Sequence, residues 1–495
     1  MAPFSTRDEL KSLAGLAAPI LCSNLALFGM SLTVLISAGH LGSAQLTAVA
    51  YSQMLFDITI LVFTYGFVAG QAALSAQAYG AGNLPLVGRY CQMTCVIVSL
   101  ACVPIGALWW FTGDLLFAGG VSATTAAHAT AYAHYAMPGL LPRLLFHVLS
   151  IYFKSMQNVI PAAVLAVTFA ILNVGLVPLL VFGAPSIGFQ GYGLVGAPIA
   201  YVICQYARTS AYVIYMFGYK KHHATSWQWS TKFLDAKLYL MPMVRVGGPL
   251  ALGMLVEDMQ LQTMAIFAGM TSEVALGANN SMLELIMFLT SPLLGLLDAA
   301  TTRIGMHLGA GDAHAAKATS HLVLYSILSV CAVIVVPWLC ARSAIGHLFS
   351  SDASVVESMT NITTLAAAGY ILMSFFYYAM ATLEAQARTV PIMTSFLVGA
   401  WVIGVPLAYV LDFNAGYGLL GIWIGMSAGY ATTTFFGVYF TYKSDWPEEA
   451  KKAVARSTEK DDSATSIESG RAPETGYEAV LETPSKEAAT RDHIA

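Results

Sequence analysis

The sequence predicts an all-α membrane protein with twelve transmembrane helices, arranged as two six-helix lobes related by an internal parallel repeat. Three observations carry that prediction: a composition poor in charge, twelve apolar runs of membrane-spanning length, and self-similarity between the two halves of the chain. Of 495 residues, 57% are hydrophobic and only 10% charged, and the mean hydropathy is +0.67. Soluble domains carry about 25% charged residues, so a chain of this composition belongs in lipid.

A helix needs about 20 residues to cross about 30 Å of hydrocarbon. Runs of that length have their cores at 13–36, 47–72, 90–112, 127–153, 161–183, 194–218, 240–268, 274–300, 319–340, 359–383, 391–411 and 418–442. Membrane β-strands would alternate apolar and polar residues, whereas Leu322 to Val336 and Ile392 to Val410 are unbroken. Arg7, Lys11, Arg89, Lys154, the group Lys220, Lys221, Lys232, Lys237 and Arg245, then Arg303, Lys317, Arg388 and Lys443 fall on one side, with Arg342 the exception. Such basic loops face the cytoplasm, so both termini are expected there. Arg7, Asp8, Glu9 and Lys11 lead into an apolar run too long for a cleavable signal peptide.

The expected organisation is a cytoplasmic N-terminus (1–12), an N-lobe (13–218), a cytoplasmic inter-lobe loop (219–239), a C-lobe (240–443) and a disordered cytoplasmic tail (444–495). The tail is rich in Glu, Lys, Ser, Thr, Pro and Ala, and its few large apolar residues bury too little to offset ordering entropy. Seven cysteines lie in or at the ends of spans without paired spacing. They indicate neither a disulfide framework nor a zinc site.

The repeat has a separation of about 225 to 230 residues. Ala17-Ala18-Pro19-Ile20 matches Gly247-Gly248-Pro249-Leu250, and Gly80-Ala81-Gly82-Asn83 matches Gly309-Ala310-Gly311-Asp312. Gly191-Tyr192-Gly193-Leu194-Val195-Gly196 likewise matches Gly416-Tyr417-Gly418-Leu419-Leu420-Gly421. Six spans return the chain to its starting side, so the halves run in parallel about an axis along the membrane normal, an arrangement that places substrate at the repeat interface. Gly80, Gly82, Gly309 and Gly311 are expected to be hinges; no Lys-Ser or Lys-Thr follows them, which excludes a P-loop.

At three motifs the chain resembles the multidrug and toxic compound extrusion (MATE) family, its eukaryotic branch most closely. They are Ala38-Gly39-His40-Leu41-Gly42, Ser75-Ala76-Gln77-Ala78-Tyr79-Gly80-Ala81-Gly82-Asn83 and Arg303-Ile304-Gly305-Met306-His307-Leu308-Gly309-Ala310-Gly311-Asp312. The resemblance implies a V-shaped bundle of twelve helices that exchanges protons or sodium for drugs, toxins or metabolites. It also implies that Glu257 and Glu284 occupy the positions of eukaryotic glutamates. Where animal members often carry two tryptophans and a further glutamate, this chain has Asp258, Met259 and Gln262. The family's acid in span ten falls near Met373 and Ser374, so an aromatic box for cations is not evident.

Ionisable groups inside the bilayer are costly and mark function by default. Glu257 and Glu284 are each about thirteen residues from the turn joining spans seven and eight, hence at similar depth, about 20 Å at 1.5 Å per residue. Two carboxylates facing one another in a dry site cannot both ionise cheaply, so the pair could hold a proton, with Glu257 its principal carrier. Asp57 in span two is a further candidate for coupling. Arg143 and His147, one turn apart on span four, join Asp258, Met259 and Gln262 as candidates for lining the cleft, and Asp57 and Arg143 are expected to compensate one another. Asp298 and Glu384 read as solvated or locally paired, Glu384 with Arg388.

The expected function is therefore secondary antiport of small organic solutes or xenobiotics against protons, with sodium possible, by alternating access in a plasma or vacuolar membrane. No cofactor, metal or nucleic acid is expected, nor an oligomer. A lipid or lipid-linked-saccharide flippase of the same architecture is the alternative, and it should show basic residues in the cleft. A channel lacks its filter or charged rings, a receptor would have about seven spans, and an enzyme lacks a metal or nucleophile motif.

Overall fold

The computed structural model describes residues 5–184, 188–228, 231–349 and 352–458, and these form an all-helical bundle. The N-lobe contains α1 (Thr6–Leu41), α2 (Ser43–Gly80), α3 (Leu84–Trp110), α4 (Ala123–Ser155), α5 (Ile160–Phe182) and α6 (Gly196–Val213). The C-lobe repeats the order with α7 (Ala236–Thr271), α8 (Glu273–Gly309), α9 (Ala313–Cys340), α10 (Ala353–Ala385), α11 (Val390–Asn414) and α12 (Gly418–Tyr442). Ten of these are long and apolar enough to cross a membrane by length and composition. The other two, α6 and α12, carry polar groups that the bundle buries: Gln205, Arg208 and Thr209 on α6, Thr433 and Thr434 on α12.

The repeat is visible in the turns. Gly82 and Gly311 both adopt φ +77, a left-handed conformation that glycine adopts without strain. The next residue caps the following helix in each lobe, Asn83 accepting from the Leu86 amide and Asp312 from the Ala315 amide. Gly80 and Gly309 have a different role from the expected hinge. A Cβ on Gly80 would lie 1.9 Å from the Met306 carbonyl oxygen, and one on Gly309 would lie 1.9 Å from that of Gln77. These two glycines let the ends of α2 and α8 cross with their backbones in contact.

Two apolar cores correspond to the lobes, and α1 and α7 each contribute to both. Leu13, Leu16 and Ile20 at the start of α1 pack in the C-lobe core, while Val34 and Ala38 further along pack in the N-lobe core. Tyr239, Met243 and Val246 at the start of α7 pack in the N-lobe core, while Leu250, Met264 and Ala268 pack in their own. The lobes are thus closed against each other at the end of the bundle that carries the termini. Towards the other end, α7 presents Met259, Gln262, Ile266 and Met270 as one exposed stripe at helical spacing, and α1 presents Leu25, Phe28, Leu32 and Ile36.

Two segments are more ordered than expected. Within the inter-lobe loop Ser226 is fully buried, its hydroxyl 2.5 Å from that of Tyr152. The tail expected from 444 begins instead with a helix, α13 (Trp446–Thr458), which buries Trp446, Ala450 and Ala453. This helix touches both lobes: Ser457 accepts from Asn83 Nδ2 at 2.8 Å, and Arg456 Nη2 donates to the Gln386 carbonyl at 3.2 Å. Its apolar stripe is interrupted by charge, which hides it from a search for large apolar runs. Residues 459–495 lie outside the described residues.

Candidate functional site

Ser272 accepts from the Ala275 amide and makes the turn between α7 and α8 as tight as expected. Glu257 and Glu284 therefore sit at comparable depth, but helix rotation separates them: Glu257 is buried and Glu284 is exposed. The carboxylate within electrostatic reach of Glu257 is its neighbour Asp258, so the expected face-to-face pair is corrected to a buried acid and an exposed one. Around Glu257 stand the phenols of Tyr377 on α10, Tyr430 on α12 and Tyr65 on α2, all within electrostatic reach. Tyr65 ends a π-helical stretch, Leu61–Tyr65, an irregularity frequent at functional sites. The aromatic groups missing from α7 at 258–262 thus have counterparts on three other helices, which sequence spacing could not reveal. Met259 and Gln262 are exposed on the α7 stripe, and Asp258 is half-buried.

The N-lobe site is built on α4. Arg143 Nη2 donates to Asp57 Oδ1 at 3.0 Å, bringing the two expected charges together, with Asp57 exposed and Arg143 half-buried. They border a narrow cavity of about 60 Å³ with Trp109, Tyr132 and Tyr201. One turn along, His147 lines a larger cavity of about 330 Å³ with Arg143, Lys154 and Arg208. The sequence reading passed over Arg208, which is 2% exposed on α6. Its Nη2 donates to Gln205 Oε1, and its guanidinium lies 4.0 Å from the centre of the Phe146 ring. Thr209 on α6 donates to the Pro142 carbonyl at 2.8 Å and so fixes this face of α6 against α4.

Between the sites, Lys154 Nζ donates across the lobe boundary to Asp298 Oδ1 at 2.7 Å. Asp298 was expected to be solvated or locally paired; the lysine that reaches it is 144 positions away in the chain. Glu384 is buried within electrostatic reach of Asp298 and Lys154. Arg388, its expected partner, instead donates to Ser444 Oγ at 2.8 Å and lies 4.0 Å from Glu449. Lys154 and Glu384 stand at equivalent repeat positions with opposite charge. Each is followed three residues later by a non-glycine residue in the left-handed region, Gln157 at φ 62 and Ala387 at φ 57. Nearer the termini, Glu9 on α1 accepts from Arg303 Nε at 2.9 Å and lies 3.3 Å from His307 Nε2 on α8. Among the described residues no group of three or more His, Cys, Asp or Glu is arranged to hold a metal ion.

Comparison with known proteins gives this geometry a family. The chain is 25% identical over 456 residues to multidrug and toxin extrusion protein 1 of Danio rerio, covering 92% of this chain and 76% of the relative. It is 26% identical over 461 residues to protein DETOXIFICATION 16 of Arabidopsis thaliana, covering 91% and 92%. The fold matches the crystal structure of the eukaryotic MATE transporter AtDTX14 with a TM-score of 0.83 at 22% identity, over 91% of this chain and 99% of that one. It also matches the Vibrio cholerae MATE transporter VcmN in its bent form with a TM-score of 0.78 at 18% identity, over 91% and 99%. The MatE family model matches residues 19–179 and again 249–410, one match to each half of the internal repeat. The chain belongs to the MatE family of multidrug and toxin extrusion transporters, membrane proteins of two six-helix lobes that are not enzymes.

Proposed function

We propose that the protein is a secondary antiporter that exports small organic solutes in exchange for protons, working as a monomer by alternating access between its lobes. The observation that carries this reading is Glu257, a buried acid at mid-span with no basic partner among the described residues and with three phenols within electrostatic reach. A carboxyl group so placed is costly when ionised. Loading and unloading its proton therefore shifts the balance between lobe arrangements. Asp57, across the cleft within electrostatic reach of Asp258, is the further candidate for coupling. Sodium is the alternative coupling ion.

With the termini in the cytoplasm, as the basic loops favour, the closed end of the bundle is cytoplasmic and the molecule faces outward. Uptake into vesicles carrying the full chain, under separately imposed proton and sodium gradients and with cationic, neutral and anionic solutes, tests the function. Exchange that follows the sodium gradient alone rejects proton coupling. Orientation is tested by a cysteine at Thr225, exposed beside the buried Ser226. Labelling of Thr225→Cys by an impermeant reagent outside intact cells would invert the assignment. A flippase of the same architecture is the second reading, favoured by the basic lining of the N-lobe cavity.

A further inference from the structure

We propose that the N-lobe cavity is a binding site for a small organic anion, a carboxylate with an apolar body, anchored by Arg208. This rests on the transporter reading above and names a substrate class for it.

The cavity is lined by three basic side chains, Arg143, Lys154 and Arg208. Arg143 is matched by Asp57 and Lys154 by Asp298. Arg208 differs: among the described residues it is paired with no carboxylate, and its Nε and Nη1 meet no hydrogen-bonding group of the protein. The Nε2 of Gln205, the residue that holds Arg208 Nη2, is also without an acceptor. The site therefore offers three donors without a partner and one positive charge in excess of its carboxylates. A buried guanidinium in that condition is costly unless something supplies acceptor oxygens, and its planar fork fits the two oxygens of a carboxylate.

The Phe146 ring lies 4.0 Å from the guanidinium and holds the fork in place. Ile20, Leu27 and Leu144 supply an apolar wall, and a volume of about 330 Å³ admits a small solute. Lys154 lines the same cavity and bridges to the opposite lobe. An anion reaching Lys154 competes with Asp298 for it and loosens the contact between lobes.

The test is equilibrium binding of radiolabelled p-aminohippurate to the purified full chain, with tetraethylammonium and dioctanoyl phosphatidate as competitors. Saturable binding that tetraethylammonium does not displace is expected. Arg208→Gln should weaken it at least about tenfold, as loss of a charged hydrogen-bond partner does, and Arg208→Lys should weaken it less. Absence of binding, equal affinity of Arg208→Gln, or displacement by tetraethylammonium overturns the proposal. Tighter binding of dioctanoyl phosphatidate than of p-aminohippurate overturns it in favour of a lipid headgroup. Should Arg208→Gln not fold, thermal unfolding of the unmodified chain decides: p-aminohippurate, and not tetraethylammonium, must raise the midpoint. Proton-driven flux of tetraethylammonium, measured beside p-aminohippurate binding on the unmodified chain, separates this inference from the proton-antiport reading. Proton-driven tetraethylammonium flux without p-aminohippurate binding removes only the anion site. Binding without any proton-driven flux removes only the antiport reading.

Discussion

The N-lobe and C-lobe repeat one backbone and differ in how they handle charge. In the N-lobe, basic groups gather on α4 and α6 around a cavity, and two of them are matched by acids. In the C-lobe, Glu257 is buried among phenols from other helices without a basic partner among the described residues. Lys154 and Glu384, equivalent by repeat and opposite in charge, condense the contrast into one pair of positions. Backbone geometry tolerates little change where helices touch, as at Gly80 and Gly309, whereas the side chains at matching positions carry opposite charge. Duplication thus leaves two lobes of similar backbone whose side chains have diverged in charge.

The largest expected effect comes from breaking the C-lobe side of that contrast. Glu257→Gln should reduce pH-gradient-driven flux in vesicles to background while the chain stays folded and inserted. Glu284→Gln, at an exposed position, should retain most of the flux. Equal loss in the two variants would restore the paired arrangement expected from their depth.

The common backbone can be tested at its point of contact. Gly80→Ala and Gly309→Ala each push a methyl group into a carbonyl of the opposite lobe, an overpacking that costs about 1–3 kcal/mol. The two variants should lose similar amounts in thermal unfolding, because they are mates in the repeat. A loss confined to one of them would show that the gate is asymmetric.

Next in size is the bridge between lobes. Lys154→Gln and Asp298→Asn should be non-additive, with a coupling of about 1–2 kcal/mol in a double-mutant cycle on stability. Lys154 is 11% exposed, which shields the bridge, while Asp298 at 39% retains some water. The smallest effect belongs to Asp57 and Arg143, whose side chains are 66% and 35% exposed. Solvent screening there limits the coupling to below about 1 kcal/mol, so Asp57→Asn with Arg143→Gln should come close to the sum of the single losses. A larger coupling would place this pair in a drier state of the cleft.

The twelve spans, the six-plus-six repeat and the family were legible in the order of residues. Run length, composition and turn glycines are local properties, read without knowing what a helix packs against. The observed helices lie over the expected cores and extend beyond several of them, as α1 does from 13–36 to Thr6–Leu41. Glu257, Asp57 and Arg143 were legible because an ionisable residue in an apolar run stands out. Amphipathic α13 was not, since its buried stripe is short and interleaved with charge.

By itself, then, the sequence determined the class of protein, the number of its spans, and which charges lie within those apolar runs. Only the tertiary structure decided which of those charges meet. Each residue turns a helix by about 100°, so a carboxylate's depth follows from counting while its direction depends on how the whole helix is rotated in the bundle. That rotation buries Glu257 and exposes Glu284, carries Lys154 to Asp298, and brings Tyr377 and Tyr430 to an acid on a different helix. It also leaves Arg208 4.0 Å from the Phe146 ring with two donors without a partner, because the groups surrounding a side chain come from packing between helices.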